Sequence, residues 1–286
     1  MTDTPDTECR DAGTEPAAAG SESDAAGTDT HRHPGAELAR YYDLDLTDDP
    51  GDVELYLALA SRTGGPVLEL AAGTGRIAVP LAAAGLDVVA VDIDAAMLAR
   101  AADRWSENGV SSMGTLGLVE EDLLTVDLGA RFGLVIFGLN SLMLLGDAER
   151  QARAFEVVAR HLRSDGLAVL DIWLPSPDDL VLYDGRLVLE WIRDDLERGE
   201  RVAKQATARY DPATAHVELT AMFDAWPASG GTVRRVSRTD HLRLVGAAEL
   251  VRLARDAGLR VETLAGDYAL DPFGPGADRV VLVCTL

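Results

Sequence analysis

The stretch with the most chemical content is Glu69-Leu70-Ala71-Ala72-Gly73-Thr74-Gly75-Arg76, where a short apolar run meets a turn of small residues. Small side chains at 71, 73 and 75 let the backbone turn tightly and let a ligand lie against main-chain N–H groups, and a helix opening there favours negative charge. Asp92 closes the next apolar run, Leu-Asp-Val-Val-Ala-Val-Asp, 17 residues beyond Gly75. In an open α/β sheet a carboxylate at the end of the second strand can accept both hydroxyls of a ribose, so this spacing points to an adenosine. Asp94 is better placed than Asp92 to cap the helix that begins at Ala95, which leaves Asp92 free for a ligand. Glycine spacing alone leaves two chemistries open, because Gly73-Thr74-Gly75-Arg76-Ile77-Ala78 also satisfies the G-x-G-x-x-A form of a dinucleotide fingerprint. Glu69, four residues before Gly73, weighs against the dinucleotide: an acid there can take a ligand's ammonium group but would sit poorly near a pyrophosphate.

These residues need a sheet that ends beneath the ligand, and the hydropathy pattern supplies one. Apolar runs at PVLEL, LDVVAVD, LGLVEED, GLVIFG and LAVLDIW alternate with helical stretches near 76–84, 95–107 and 147–163, with a turn expected at Ser164-Asp165-Gly166. Runs without period-two alternation imply strands buried on both faces, hence a doubly wound α/β fold with a mostly parallel sheet. After Pro175 the character changes to alternating runs broken by DPATA and PASGG, which read as antiparallel strands. A helix over 247–257 and strands at LRVETLAGDY and RVVLVCTL then complete the first sheet. The expected organisation is a disordered acidic tail over residues 1–35 and one domain over 36–286, with 178–245 as an antiparallel insertion. The tail holds eight acids against Arg10 and Arg32 and almost no large apolar side chain, too little to offset the entropy of ordering.

The whole chain of 286 residues has a formal net charge of -22. Such a surface repels a nucleic-acid duplex and favours a small-molecule partner. Two cysteines, Cys9 and Cys284, give neither a disulfide framework nor metal-ligand spacing, and no metal is expected. The start of the chain lacks a signal-peptide pattern and no apolar run approaches the ~18 residues of a membrane span, so a cytoplasmic protein with no membrane partner is expected.

At this point the sequence resembles the class I S-adenosylmethionine-dependent methyltransferases of small-molecule acceptor type, whose first motif is an acid followed by small residues and a G-x-G turn, here Gly73-Thr74-Gly75. It departs from many members in carrying Ala71 where they have glycine. The resemblance covers most of residues 37–286 and implies a Rossmann-like sheet of order 3-2-1-4-5-7-6, S-adenosylmethionine as cofactor, and an antiparallel layer that shapes the acceptor site or builds a homodimer contact. It also implies roles. Glu69, Ala71, Gly73, Thr74, Gly75 and Asp92 would hold the cofactor together with Ile93 and Met97, and Arg76 would grip its carboxylate. In the VEEDLL run, Asp122 would accept the adenine amino group beside Glu121 and Leu123. In the GLVIFGLNSLMLL run, Phe137, Asn140 and Ser141 would border the methionine part and the acceptor pocket. The ARYYDLDL segment is similar to the lid of these enzymes; adjacent tyrosines on a helix point about 100° apart, so one of the pair should reach the ligand, with Tyr42 favoured over Tyr41.

Methyl transfer is an in-line displacement from an already activated sulfonium, so alignment and exclusion of water carry most of the work and a base is optional. His241, where the insertion turns back toward the sheet, is the candidate base, and His161 reads as structural. Trp173 and Tyr183 are candidates for the acceptor wall, as are Trp191 and Trp226. The function expected is methylation of an N or O atom of a small molecule. A tRNA or protein methyltransferase of the same fold, or a non-catalytic cofactor-binding module, are the alternatives.

Overall fold

In the computed structural model the described residues are 34–47, 50–108 and 114–286. The expected tail, Cys9 included, lies outside them apart from Pro34 and Gly35, which open helix α1 (Pro34–Asp45) rather than close a tail. A proline at the first turn costs a helix nothing in hydrogen bonds, because its missing N–H would be unpaired there anyway. From α1 onward the described residues belong to one compact unit.

Strand β1 (Val67–Leu70) is four residues long and buried throughout. Helix α2 (Asp52–Thr63) precedes it, and α3 (Ala78–Ala83), β2 (Asp87–Asp92), α4 (Ala95–Asn108), β3 (Thr115–Glu120) and β4 (Phe132–Phe137) follow. After a short helix α5 (Ser141–Leu144), α6 (Ala148–His161) leads into β5 (Leu162–Trp173). The chain then makes α7 (Pro177–Leu182), four long strands β6 (Asp184–Asp195), β7 (Glu200–Asp211), β8 (His216–Pro227) and β9 (Arg234–Arg243), and finally α8 (Ala247–Asp256), β10 (Arg260–Ala265) and β11 (Arg279–Thr285).

The main sheet has the order β10-β11-β5-β4-β1-β2-β3. Strands β1 to β5 are mutually parallel, and β11 runs antiparallel to both β5 and β10. Counted by position in this sheet, that is the expected 3-2-1-4-5-7-6 arrangement. Its two faces are covered by separate apolar layers: one holds Phe155 and Val158 of α6 and Leu250 and Leu253 of α8, the other Leu55, Tyr56 and Leu59 of α2 and Leu81 of α3. Burying each such side chain contributes about 1.5 to 3 kcal/mol. The second sheet is a four-stranded antiparallel meander, β6-β7-β8-β9.

Three details differ from the sequence pattern. Ser164-Asp165-Gly166 is no turn but part of β5, where the pairing with β4 jumps from Phe132↔Leu162 to Leu134↔Leu167. Gly166 is required there because a Cβ would lie 2.9 Å from the carbonyl oxygens of Phe132 and Gly133. Helix α7 was not anticipated, although Ser176 and Asp179 form a reciprocal capping box in front of it and Pro177 occupies its first turn. Nor was α5, which starts from Asn140 in the left-handed region at φ 63°. His161 is buried and structural, but as a neutral imidazole. Its Nε2 accepts from the Leu128 N–H and its Nδ1 lies 2.9 Å from the Val157 carbonyl, so the ring serves as acceptor and donor at once. Among the described residues no helix is long and apolar enough to cross a membrane.

Candidate functional site

The turn after β1 is built for close approach. Ala71 takes φ 57°, Gly73 φ 56° and Gly75 φ 73°, so three alternate residues sit in the left-handed region. The two glycines serve different ends. A Cβ on Gly75 would lie 2.9 Å from Ala101 Cβ of α4, so this glycine lets the turn pack on the helix. A Cβ on Gly73 would meet only the Tyr42 ring edge at 3.8 Å, and Gly73 lines a cavity. Ala71 in a left-handed conformation shows why a glycine suits that position, and alanine is the smallest side chain that can bear it.

That cavity, of about 400 Å³, opens at the carboxyl ends of the parallel strands. It brings together Tyr42, Ala71, Gly73, Asp92, Ile93, Met97, Asp122, Leu123 and Ser141 of the expected residues. Ile93 is 69 % exposed, an apolar surface left beside the strand end where a flat ring could lie. Asp92 is not free as the sequence suggested: Oδ2 accepts from the Gly73 N–H (2.7 Å) and Oδ1 from the Asp94 N–H (2.9 Å), so it also shapes the turn. Asp94 does cap α4, accepting from the Ala96 N–H at 2.8 Å. Asp122 accepts from the Leu124 N–H at 2.9 Å.

Tyr42 and Tyr41 separate as helix geometry demands. Tyr42 faces the cavity, where burial pushes its phenol up to about 12, so it is neutral near pH 7. Tyr41 turns to the second sheet and stacks on Phe223 at 5.0 Å. Helix α1 is fastened on both sides. Asp43 accepts from Thr74 Oγ1, Arg100 Nε and Arg104, while Arg40 pairs with Asp195 at 2.8 Å and the single lysine, Lys204, holds Asp45. Thr74 is therefore a tie between the turn and α1 and does not line the cavity.

Several expected residues are placed elsewhere. Arg76 does not present its guanidinium to the cavity; both terminal nitrogens grip the fully buried Asp52 of α2 at 2.7 and 2.6 Å. Phe137 belongs to the core layer with Leu142 and Met143, because β4 is buried on both faces and cannot sort its side chains by alternation. Asn140 is spent on structure, accepting from the Trp173 N–H. Glu121 is exposed and meets Asp92 only through its backbone. Trp173 and Tyr183 pack against one another, ring centres 6.4 Å apart, and neither lines the cavity. His241 is outside it as well: its side chain is 69 % exposed, on the opposite side of β9, with Glu218 4.0 Å away.

Glu69 lies beneath the turn rather than in the cavity wall. It is buried, one of its oxygens (Oε2) has no hydrogen-bond partner, and burial drives its carboxyl up to about 8 although Arg76 opposes that. A buried carboxylate short of a donor is a group that a ligand's ammonium would relieve, and Gly73 and Ala71 leave the main chain open beside it. The turn, the ribose-height Asp92 and the apolar Ile93 and Leu123 thus fit an aminoacyl-adenosine such as S-adenosylmethionine.

Sequence reasoning did not find the remaining walls: Leu38 of α1, Leu144 and Leu145 at α5, Arg150 of α6, and Arg238 and Asp240 of β9. Nor did it single out Asp171 of β5, a buried acid that accepts from Tyr56, Tyr268, Arg279 and the Leu139 N–H and so fixes the loop leading to Ser141. A lone acid inside an apolar strand was the available signal, since a buried carboxylate must be paired.

Residues 67–166 match a family described as methyltransferase domain. The chain is 26% identical over 220 residues, 77% of its length and 82% of the relative's, to a cypemycin N-terminal methyltransferase from a Streptomyces species. Among solved structures, an S-adenosylmethionine-dependent methyltransferase from Clostridium acetobutylicum superposes with TM-score 0.71 at 18% identity, covering 87% of this chain and 98% of that one. The sugar N-methyltransferase KedS8 from Streptoalloteichus superposes with TM-score 0.66 at 23% identity, covering 96% and 100%. With the sheet order and the turn geometry, these likenesses identify a methyltransferase domain over residues 67–166, carried on the fold of S-adenosylmethionine-dependent methyltransferases.

Proposed function

We propose that this enzyme methylates a nitrogen or oxygen atom of a small molecule. The observation that carries the reading is that the cavity does not stop at the residues suited to an adenosine. It continues under α1 to α5, α6 and β9, where Leu38, Ser141, Leu144, Arg238 and Asp240 form a second set of walls. When bound, S-adenosylmethionine supplies a methyl group on a sulfonium, which the acceptor's lone pair displaces in line, leaving S-adenosylhomocysteine and one proton. On this reading Asp92 holds the ribose, Asp122, Ile93 and Leu123 surround the adenine, and Tyr42 and Met97 close over the ligand, while Glu69 attracts its ammonium group. Tyr42, a neutral phenol, positions and shields rather than taking a proton. The names of the cypemycin N-terminal and sugar N-methyltransferases support a nitrogen acceptor. The chain's net charge of -22 weighs against a tRNA acceptor.

Calorimetry with S-adenosylhomocysteine, followed by transfer of labelled methyl to a panel of small amines and alcohols, tests this. One-to-one binding and label on a panel member are expected. Binding of a nicotinamide dinucleotide without S-adenosylhomocysteine binding would overturn it.

A further inference from the structure

Among the described residues four carboxylates line the cavity, and three of them already serve the backbone. Asp92 holds the N–H groups of Gly73 and Asp94, Asp94 caps α4, and Asp122 holds the Leu124 N–H. Asp240 differs. Its Oδ1 accepts from Arg238 Nε at 2.7 Å, two residues away on the same face of β9, so the contact with that guanidinium runs through one of its two oxygens. The side chain is 21 % exposed, so it is neither a surface charge nor a core one. Alternation along β9 places Arg238 and Asp240 on the half-buried side and His241 on the exposed one. The strand packs against α5, which brings Ser141 and Leu144 to the same cavity.

We propose that Asp240 is the acceptor-binding residue, that Arg238 positions it, and that the acceptor group is an amine. This rests on the methyltransferase reading above and narrows it. A carboxylate in a cavity wall that also holds Leu38, Leu144 and Leu145 favours a group bearing N–H and positive charge. Arg238 is matched by Asp240, so among the described residues Arg150 is the only further cation in a wall that contains three other aspartates, and these residues together attract a cation. Held through Oδ1 by Arg238 Nε, the carboxylate offers Oδ2 to the amine N–H. A bound ammonium first releases one proton to solvent, and the lone pair so freed forms the N–C bond to the methyl carbon as the S–C bond breaks, leaving S-adenosylhomocysteine and a methylated ammonium. The second sheet thereby contributes the chemistry that distinguishes acceptors, from a strand more than 140 residues along the chain from Asp92.

The test uses sinefungin, which carries an amine-bearing carbon where S-adenosylmethionine carries its sulfonium methyl, beside S-adenosylhomocysteine, which has nothing there. Calorimetry on the full chain gives the ratio of the two Kd values. Asp240→Asn should lower the preference for sinefungin by about tenfold, about 1.4 kcal/mol, with S-adenosylhomocysteine affinity unchanged. Arg238→Gln should lower it by a smaller factor, and His241→Ala should leave it as it is. Asp240→Ser is read in the same way if the asparagine variant fails to fold. An unchanged ratio in a folded Asp240 variant overturns the inference alone, as does recovery of labelled methyl on oxygen only. Failure of the unsubstituted chain to bind either ligand overturns the methyltransferase reading itself.

Discussion

The two ends of the cavity are built by different rules. At the β1–β2 end the ligand-facing groups lie within 27 residues, from Ala71 to Met97, and most of the geometry is main chain: left-handed turn residues and aspartates that hold backbone N–H groups. At the β9 end the walls come from α1, α5, α6 and β9, spread from Leu38 to Asp240, and they are side chains held by other side chains. The first kind of site follows from local conformation and tolerates few residue types. The second depends on which face of a distant strand is turned inward, so it can be altered without disturbing the turn. Such a division suits an enzyme whose cofactor is fixed and whose acceptor is not.

The largest effect expected at the cofactor end separates its two glycines. In Gly75→Val a Cβ would lie 2.9 Å from Ala101 in addition to occupying φ 73°, and the loss of stability should be about 4 kcal/mol or more. Gly73→Val meets no such clash and should cost roughly 1 to 2 kcal/mol of backbone strain, yet remove cofactor binding because it fills the cavity. Thermal unfolding and S-adenosylhomocysteine titration of the pair check this. If Gly73→Val unfolds as completely as Gly75→Val, the turn cannot be divided into a packing residue and a ligand residue.

Next in size is the pH dependence of the carboxyl beneath the turn. Glu69 titrates at about 8 in the folded chain, above the ordinary carboxyl range it has when unfolded. Between those two values the folded state holds a proton that the unfolded state has released, so the group's contribution to stability falls as pH rises through that window. The ligand-free Glu69→Gln variant should lack this slope and exceed the parent near pH 8.5 by on the order of 3 to 5 kcal/mol. Saturating S-adenosylhomocysteine should narrow the gap, since its ammonium pairs only with the ionised parent. Equal slopes in parent and variant would show that burial does not raise this carboxyl, and a gap that saturating S-adenosylhomocysteine leaves unchanged would remove Glu69 from the cofactor site.

Asp92→Ala is expected to act on both properties. Loss of its contacts to the Gly73 and Asp94 N–H groups should cost about 1 to 2 kcal/mol of stability, and loss of the ribose hydroxyls about 1.5 to 3 kcal/mol of cofactor affinity. An affinity unchanged in a folded variant would show that Asp92 only shapes the turn.

How much of this could be read from the chain follows the same division. The buried strands, the glycine turn, Asp92 and the helix cap at Asp94 were legible because each is a local pattern whose conformation depends on its neighbours in sequence. Helix geometry made it legible that only one of the two adjacent tyrosines can face the turn, but not which of them, and it is Tyr42 that lines the cavity. Arg76 was not, because the buried Asp52 that claims it lies on α2 and nothing in the spacing shows a partner 24 residues away. Phe137 and Trp173 were ambiguous for the opposite reason: a strand buried on both faces carries no alternation to say which side chain meets a ligand. Asp240 and Arg238 were passed over in favour of the histidine beside them. Along a strand a shift of one residue reverses the face, and the polar run TVRRVSRTDHLRL does not declare its inner side.

The smallest effect expected is therefore the most direct test of that face. His241 is exposed, its nearest acid is 4.0 Å away at the surface, and the residue paired with it across the sheet is Glu218 of β8. An exposed pair of this kind contributes little, on the order of 0 to 0.5 kcal/mol. His241→Ala should leave the melting temperature, S-adenosylhomocysteine affinity and methyl transfer within a factor of two of the parent. A general base at the reacting group would be worth roughly 100-fold or more, so the two placements are far apart in outcome. A large loss of turnover in His241→Ala, with cofactor binding intact, would mean that β9 presents its other face to the acceptor and that Asp240 is the structural member of the two.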